Sequence, residues 1–310
     1  MKFLLNVRKY FDYFFETKGF ISGDQPPRFS GQAQRAALLA RGDGRHPAIF
    51  IQGIMPRSGT VYAGELLRLH TDLYAFPNQI WEFPALTLTN DLIRLQKKFI
   101  MGYRFNQDKF EDNDFLMLFG AALMAYLHQS VPPDQRILVK MPSVQYLNYF
   151  STMFPYENLL ILVRDGRDLV HSTLRTWKQL NFAQVCLRWN RSARIILTTV
   201  KQLESCRGSG YWLAKYEDAL EEPEVFISEA CRRFGLDESR YPYERIQAIR
   251  VIGSSKLEKR GQVRWRHLNR PKDFRPLEYW KDWSSLRKVV FKAIAGRSLI
   301  ELGYCQDLKW

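Results

Sequence analysis

The chain has 310 residues, 46% of them hydrophobic, which suffices for a sizeable core in one large α/β domain with or without a helical insertion. Its formal charge is +14, and residues 256–297 hold 13 Lys and Arg against 4 Asp and Glu, so an anionic partner is expected on that face. No window approaches the ~20 apolar residues of a spanning helix, and Cys186, Cys206, Cys231 and Cys305 show no Cys-x-x-Cys spacing; this sets aside membrane-spanning proteins and disulfide scaffolds.

Residues 1–45 read as a helical extension. Residues 3–15 are rich in Phe, Leu and Tyr, with Lys2, Arg8 and Lys9 among them. They lack the apolar run of a signal peptide, and a docked terminal helix is the simplest expectation, with a membrane surface or a neighbouring subunit as alternatives.

The most informative stretch comes next. Residues 48–53 form a short apolar run, followed by Gly53-Ile54-Met55-Pro56-Arg57-Ser58-Gly59-Thr60 and then by Val61 and apolar residues at helical spacing. A strand, a Gly/Pro/Ser turn and a helix start together aim unpaired backbone N–H groups at an anion. Gly53 and Gly59 suit a tight turn, Ser58 and Thr60 add hydroxyls, and Arg57 adds a fork of N–H donors. Against the nucleoside-triphosphate loop G-x-x-x-x-G-K-[ST] the match fails, because the required Gly-Lys falls on Ser58-Gly59. A metal-dependent kinase is therefore disfavoured.

Farther along, Glu82 sits between Trp81 and Phe83, where partial desolvation is expected to raise its pKa. Residues 87–128 alternate apolar and charged positions and read as a helical insertion near the acceptor site. Apolar strands are predicted over 136–140, 159–163 and about 211–215, covered on both faces as a parallel sheet requires. The third of the four strands runs into Arg164-Asp165-Gly166-Arg167-Asp168, a second strand-turn-helix in which Arg164 and Ser172 would converge on one oxyanion; a solvated charge cluster is the plain alternative.

These residues resemble the sulfotransferases that use 3′-phosphoadenosine-5′-phosphosulfate (PAPS), in the branch containing tyrosylprotein and carbohydrate sulfotransferases and their bacterial relatives. The resemblance implies that residues 56–61 (Pro56, Arg57, Ser58, Gly59, Thr60 and Val61) form the 5′-phosphosulfate loop. It further implies that Arg164 and Ser172 hold the 3′-phosphate and that Tyr216, in Tyr216-Glu217-Asp218, lies beside the adenine. Ser255, Lys256, Arg264, Trp265 and Arg266 resemble the late basic loop that closes over the nucleotide, and Glu301-Leu302-Gly303-Tyr304 resembles the common ending. Lys140, in a strand ending Lys-x-Pro, would reach the bridging oxygen.

The resemblance, which runs from about residue 45 to the C-terminus and leaves much of 87–128 uncovered, implies a three-layer α/β/α fold with a central parallel sheet and a P-loop-like phosphate-binding loop; residues 1–310 read as a single domain. The implied reaction is in-line transfer of the sulfuryl group from PAPS to a hydroxyl acceptor without a metal. Arg57, Lys140 and Ser255 would stabilise the leaving group and Glu82 would act as base. Cytosolic relatives acting on small phenols instead place a histidine after the strand at 136–140, where this chain has Met141-Pro142-Ser143-Val144. A carbohydrate or glycolipid acceptor, a cytoplasmic and bacterial setting or a chain trimmed to its catalytic part, and at most peripheral membrane contact complete the expectations. A kinase and a basic nucleic-acid-binding protein, with Trp265, His267, Phe274, Tyr279 and Trp280 stacking on bases, are the rival functions.

Overall fold

Five apolar segments pair side by side and in parallel: β1 (Ile49–Gly53), β2 (Leu73–Ala75), β3 (Arg136–Met141), β4 (Asn158–Val163) and β5 (Tyr211–Lys215), in the spatial order β2-β3-β1-β4-β5. The structure is a computed structural model that describes residues 28–42, 44–75, 82–205, 210–254, 265–271 and 274–310. Register is tight along the centre, with Ile51 facing Lys140 on one side and Leu160 on the other. Strands β1, β3, β4 and β5 lie where the apolar runs predict them. Strand β2 is not among the predicted strands, since three residues are too few to show a period.

Helices cover both faces. They are α1 (Gly31–Arg41), α2 (Thr60–Arg68), α3 (Thr89–Met101), α4 (Asp114–His128), α5 (Phe150–Met153), α6 (Gly166–Thr176), α7 (Phe182–Ser205), α8 (Tyr216–Glu221), α9 (Pro223–Phe234) and α10 (Ser285–Glu301). The alternation of strand side chains divides the core. Phe50, Leu159, Ile161 and Val163 pack with Trp189 of α7 and Phe291 of α10. Ile49, Ile51, Leu160 and Leu162 pack on the opposite face with Leu66 of α2 and Phe226 of α9. This is the expected three-layer α/β/α arrangement.

Residues 87–128 hold helices α3 and α4, with turns between them. However, none of the described residues that line the cleft comes from this stretch. Helix α4 instead receives the N-terminal extension: Asp114 accepts from Ser30 N at 2.7 Å and from Ser30 Oγ at 2.8 Å, and Ala33 and Ala37 of α1 pack with Met117. The predicted aromatic helix at 3–15 lies outside the described residues. Among those residues, no helix is long and apolar enough to cross a membrane.

The topology fixes where a ligand can bind. After β1 the chain runs toward the β3/β2 side, and after β4 it runs toward β5, so the connections diverge between these two neighbouring central strands. A crevice opens outside their carboxyl ends, where such sheets bind ligands.

Candidate active site

Both predicted strand-turn-helix units end at that crevice. The loop after β1 leaves the sheet when Ile54 N donates to Leu162 O (3.0 Å), and helix α2 starts at Thr60 after Gly59 with φ 91°. A Cβ on Gly59 would lie 2.0 Å from Cδ2 of Tyr216, so the loop can press against that ring only through glycine. No side chain caps α2, so the N–H groups of its first turn are directed at the crevice. Arg57 adopts φ 79°, a conformation costly for a residue with a side chain and typical of ligand loops. Ser58 is fully buried, and its Oγ has no hydrogen-bond partner among the described residues.

The second turn closes the other wall. Arg57 Nε donates to Ser172 Oγ at 3.2 Å and its Nη1 donates to the Gly253 carbonyl, tying the first loop to α6 and to the 249–254 segment. Arg164 is only 5% exposed, so it is not part of a solvated cluster. Its Nη1 donates to the Arg57 carbonyl and its Nη2 to the Pro276 carbonyl, each at 2.7 Å, while Nε is buried without a hydrogen-bond partner among the described residues. The guanidinium also lies over the Tyr216 ring, 4.8 Å from its centroid. Arg164 therefore clips three pieces of chain together, and Tyr216 serves as the floor on which the loop rests.

Asp165, Arg167 and Asp168 form an internal network that replaces the solvated alternative. Asp165 caps α6 by accepting from Arg167 N (2.8 Å) and is paired with the Arg167 guanidinium at 2.6 Å, which lies 4.0 Å from the Trp280 ring centroid. Asp168 accepts from Glu278 N at 2.7 Å and so holds the segment that contributes Phe274, Pro276 and Tyr279 to the cleft. Burial pushes its carboxyl up to about 6.

Glu217 sits beneath this wall. It accepts from Asp165 N (3.0 Å) and from Tyr304 OH (3.1 Å), and burial raises its pKa from an ordinary value of 4.5 to about 7. The folded chain holds this proton more tightly than the unfolded chain. The stabilisation linked to it is complete below about pH 4.5 and disappears as pH rises through about 7. At about 1.4 kcal/mol per pK unit, the effect is on the order of 3 kcal/mol. Glu217→Gln should flatten the fall in melting temperature between about pH 5 and 8, read by thermal unfolding; an unchanged slope would assign the titration to another group.

Glu82, which lines the same cleft, pairs with Lys140. Phe83 fixes it: the Phe83 N–H donates to the Lys140 carbonyl at 2.9 Å, and its ring meets Phe50 edge-on at 5.6 Å. Lys140 Nζ then lies 3.4 Å from Glu82 Oε1, with both side chains largely buried. Burial raises the pKa of Glu82 against the opposing pull of Lys140, and it lowers the pKa of Lys140 against the pull of Glu82. Both shifts favour the neutral pair, so the carboxylate is more basic than a surface glutamate.

The cleft these elements line opens to solvent. Pro56, Arg57, Gly59, Thr60, Val61, Glu82, Arg164, Ser172, Tyr216 and Trp265 all line it. Ser58 and Lys140 are not among the described lining residues. Arg266 is exposed and is not among the described lining residues. Ser255, Lys256 and Arg264 lie outside the described residues.

Sequence reasoning missed Arg175, Trp177, Arg270 and residues 249–253 as cleft residues. Arg270 Nη1 donates to Tyr62 OH at 3.3 Å, a contact 208 positions apart that no local pattern announces. Phe274 and Tyr279, read as aromatics of a nucleic-acid rival, line this cleft, with Tyr279 stacked on His171 at 5.3 Å.

A sulfotransferase family model matches residues 47–240. Protein-tyrosine sulfotransferase 1 of Homo sapiens is 30% identical over 153 residues, covering 47% of this chain and 40% of that protein. Protein-tyrosine sulfotransferase of Drosophila melanogaster is 26% identical over 196 residues, covering 60% of this chain and 37% of that protein. The aligned stretches thus span well under half the length of these two relatives. A solved structure, the sulfotransferase domain from the Synechococcus PCC 7002 olefin synthase, is 19% identical with a TM-score of 0.49, covering 83% of this chain and 96% of that one. With the family model matching well over half of it, the chain belongs to the sulfotransferase family.

Proposed function

We propose that the chain moves the sulfuryl group of PAPS to an acceptor hydroxyl, with Glu82 as general base. The observation that carries this reading is that two devices meet at one cleft: an uncapped helix start, with the Ser58 hydroxyl buried and without a partner among the described residues, and the desolvated Glu82–Lys140 pair, of which Glu82 lines the cleft. Family membership supplies the donor class.

On this reading the N–H groups at the start of α2, with Ser58, Thr60 and Arg57, hold the 5′-phosphosulfate. Ser172, Arg57 and Arg164 lie by the 3′-phosphate, and Tyr216 and Trp265 border the adenine. Ser255, Lys256 and Arg264 are assigned to the closing loop by resemblance alone. Glu82 takes the acceptor proton as the acceptor oxygen bonds to sulfur; the bond between sulfur and the bridging oxygen breaks, and its electron pair stays on the departing 3′-phosphoadenosine-5′-phosphate (PAP). Lys140 and Arg57 offset the negative charge that develops there.

The relatives are named for tyrosine, whereas a sugar or glycolipid was the acceptor expected from sequence. The test is transfer of labelled sulfate from PAPS, in the presence of a chelator, to a tyrosyl peptide and to a sugar offered side by side. Label on either acceptor supports the reading, and label on neither contradicts those acceptor classes.

A further inference from the structure

The geometry points to an anion site outside the cleft, where α1, α4 and the turn leading into β4 take up a compact inorganic oxyanion of the sulfate or phosphate type. A small cavity between these elements is lined by Arg41, Arg45, His128, Tyr156 and Glu157 together with apolar residues such as Met124 and Phe154. None of them lines the cleft. Glu157 immediately precedes β4 and accepts from the N–H of Ala48, which immediately precedes β1. The cavity therefore lies at the amino ends of the two central strands whose carboxyl ends carry the cleft.

The donors are in place and unmatched. Arg45 Nη1 and Tyr156 OH are both shielded from solvent, and neither has a hydrogen-bond partner among the described residues. Folded chains rarely leave such a donor unpaired, and here two line one cavity. Arg41 is held beside them: its Nη2 donates to the Arg45 carbonyl at 2.8 Å, and its Cζ lies 5.5 Å from the Tyr156 ring centroid.

Charge sets the sign of the ligand. Three basic side chains, Arg41, Arg45 and His128, line the cavity against one acid, and that acid, Glu157, is engaged with the Ala48 N–H while burial raises its pKa. The crowding is felt at His128, where burial lowers the pKa and the charges of Arg45 and Arg41 lower it further. An oxyanion accepts from both unmatched donors and offsets this repulsion, with apolar lining to strengthen the attraction. A water molecule satisfies the donors and leaves the charge as it is.

The test is thermal unfolding of the full chain with sodium sulfate, and separately sodium phosphate, raised to about 20 mM at constant ionic strength with sodium gluconate, compared with Arg45→Gln and Tyr156→Phe. The cleft is intact in all three proteins, so any anion it takes contributes equally to each. The parent should gain roughly 2–3 °C more than either variant, as expected for a ligand at about ten times its Kd. A gain from either salt supports the site, and the larger gain names the occupant. In parallel, the pKa of His128 in the parent, read from its ring-proton resonance and assigned by loss of that signal in His128→Gln, should rise as the anion is added. Variants that gain as much as the parent would give the anion to the cleft and overturn the proposal. A parent that gains from neither salt, with the His128 titration unmoved, would overturn it in favour of water.

Discussion

Glu82→Gln is expected to lower turnover by roughly 10²- to 10⁴-fold, the span of a lost general base, while leaving the affinity for PAP unchanged. Glutamine keeps the shape of the side chain and an oxygen that can still accept from Lys140 Nζ, now 3.4 Å from Glu82 Oε1, so the cleft wall should stand. What disappears is the proton acceptor. The raised pKa of Glu82 adds a second signature: turnover of the parent enzyme should rise as pH passes through the titration of this carboxyl, and the variant should lack that limb. Single-turnover transfer measured against pH, with PAP binding measured in parallel, separates the two effects. Near-normal turnover in Glu82→Gln would remove Glu82 from the role.

Arg164→Ala should act on binding instead, weakening PAP by roughly 100-fold. Arg164 joins the Arg57 carbonyl of the loop after β1 to the Pro276 carbonyl, and hydrogen bonds from a charged donor contribute about 1.5–3 kcal/mol each. Without it, two carbonyls in a largely buried site lose their partner, and Arg57, strained at φ 79°, loses the contact that holds its backbone. Arg164→Lys should not restore binding, because one ammonium cannot reproduce a planar fork that reaches two carbonyls at 2.7 Å. Titration with PAP and thermal melting read both consequences. Unchanged affinity in Arg164→Ala would show that the walls keep their spacing without the clip.

The features legible in the sequence were those carried by local pattern. The strands around 49–53, 136–141, 158–163 and 211–215 announce themselves because a parallel strand buried on both faces is apolar without interruption. The turn at 53–60 was legible because its Gly, Pro and Ser residues sit together between an apolar run and helical spacing, whereas the lack of a side-chain cap was visible only in the fold. The desolvation of Glu82 was legible in direction from its aromatic neighbour Phe83, yet its pairing with Lys140, 58 positions away and read by resemblance only as a contact to the bridging oxygen, emerges in the fold alone.

The acids after β4 show where pattern fails. Asp165 and Asp168 look like any charged helix start, and only the packing of Trp280 and the 274–279 segment makes them internal. The aromatic residues of that segment were visible, but whether Phe274 and Tyr279 face a nucleic acid or a cleft depends on where a long loop returns. No local spacing encodes that return. The same holds for residues 87–128, whose helical character was readable and whose distance from the cleft lining was not.

The measurement that bears most directly on the account is calorimetric titration of the protein with PAP and, separately, with adenosine 5′-monophosphate and with ATP, each with and without Mg²⁺. The account predicts micromolar binding of PAP that is indifferent to Mg²⁺ and falls steeply when the 3′-phosphate is missing. Binding of Mg-ATP as tight as that of PAP, or no binding of PAP, would contradict it.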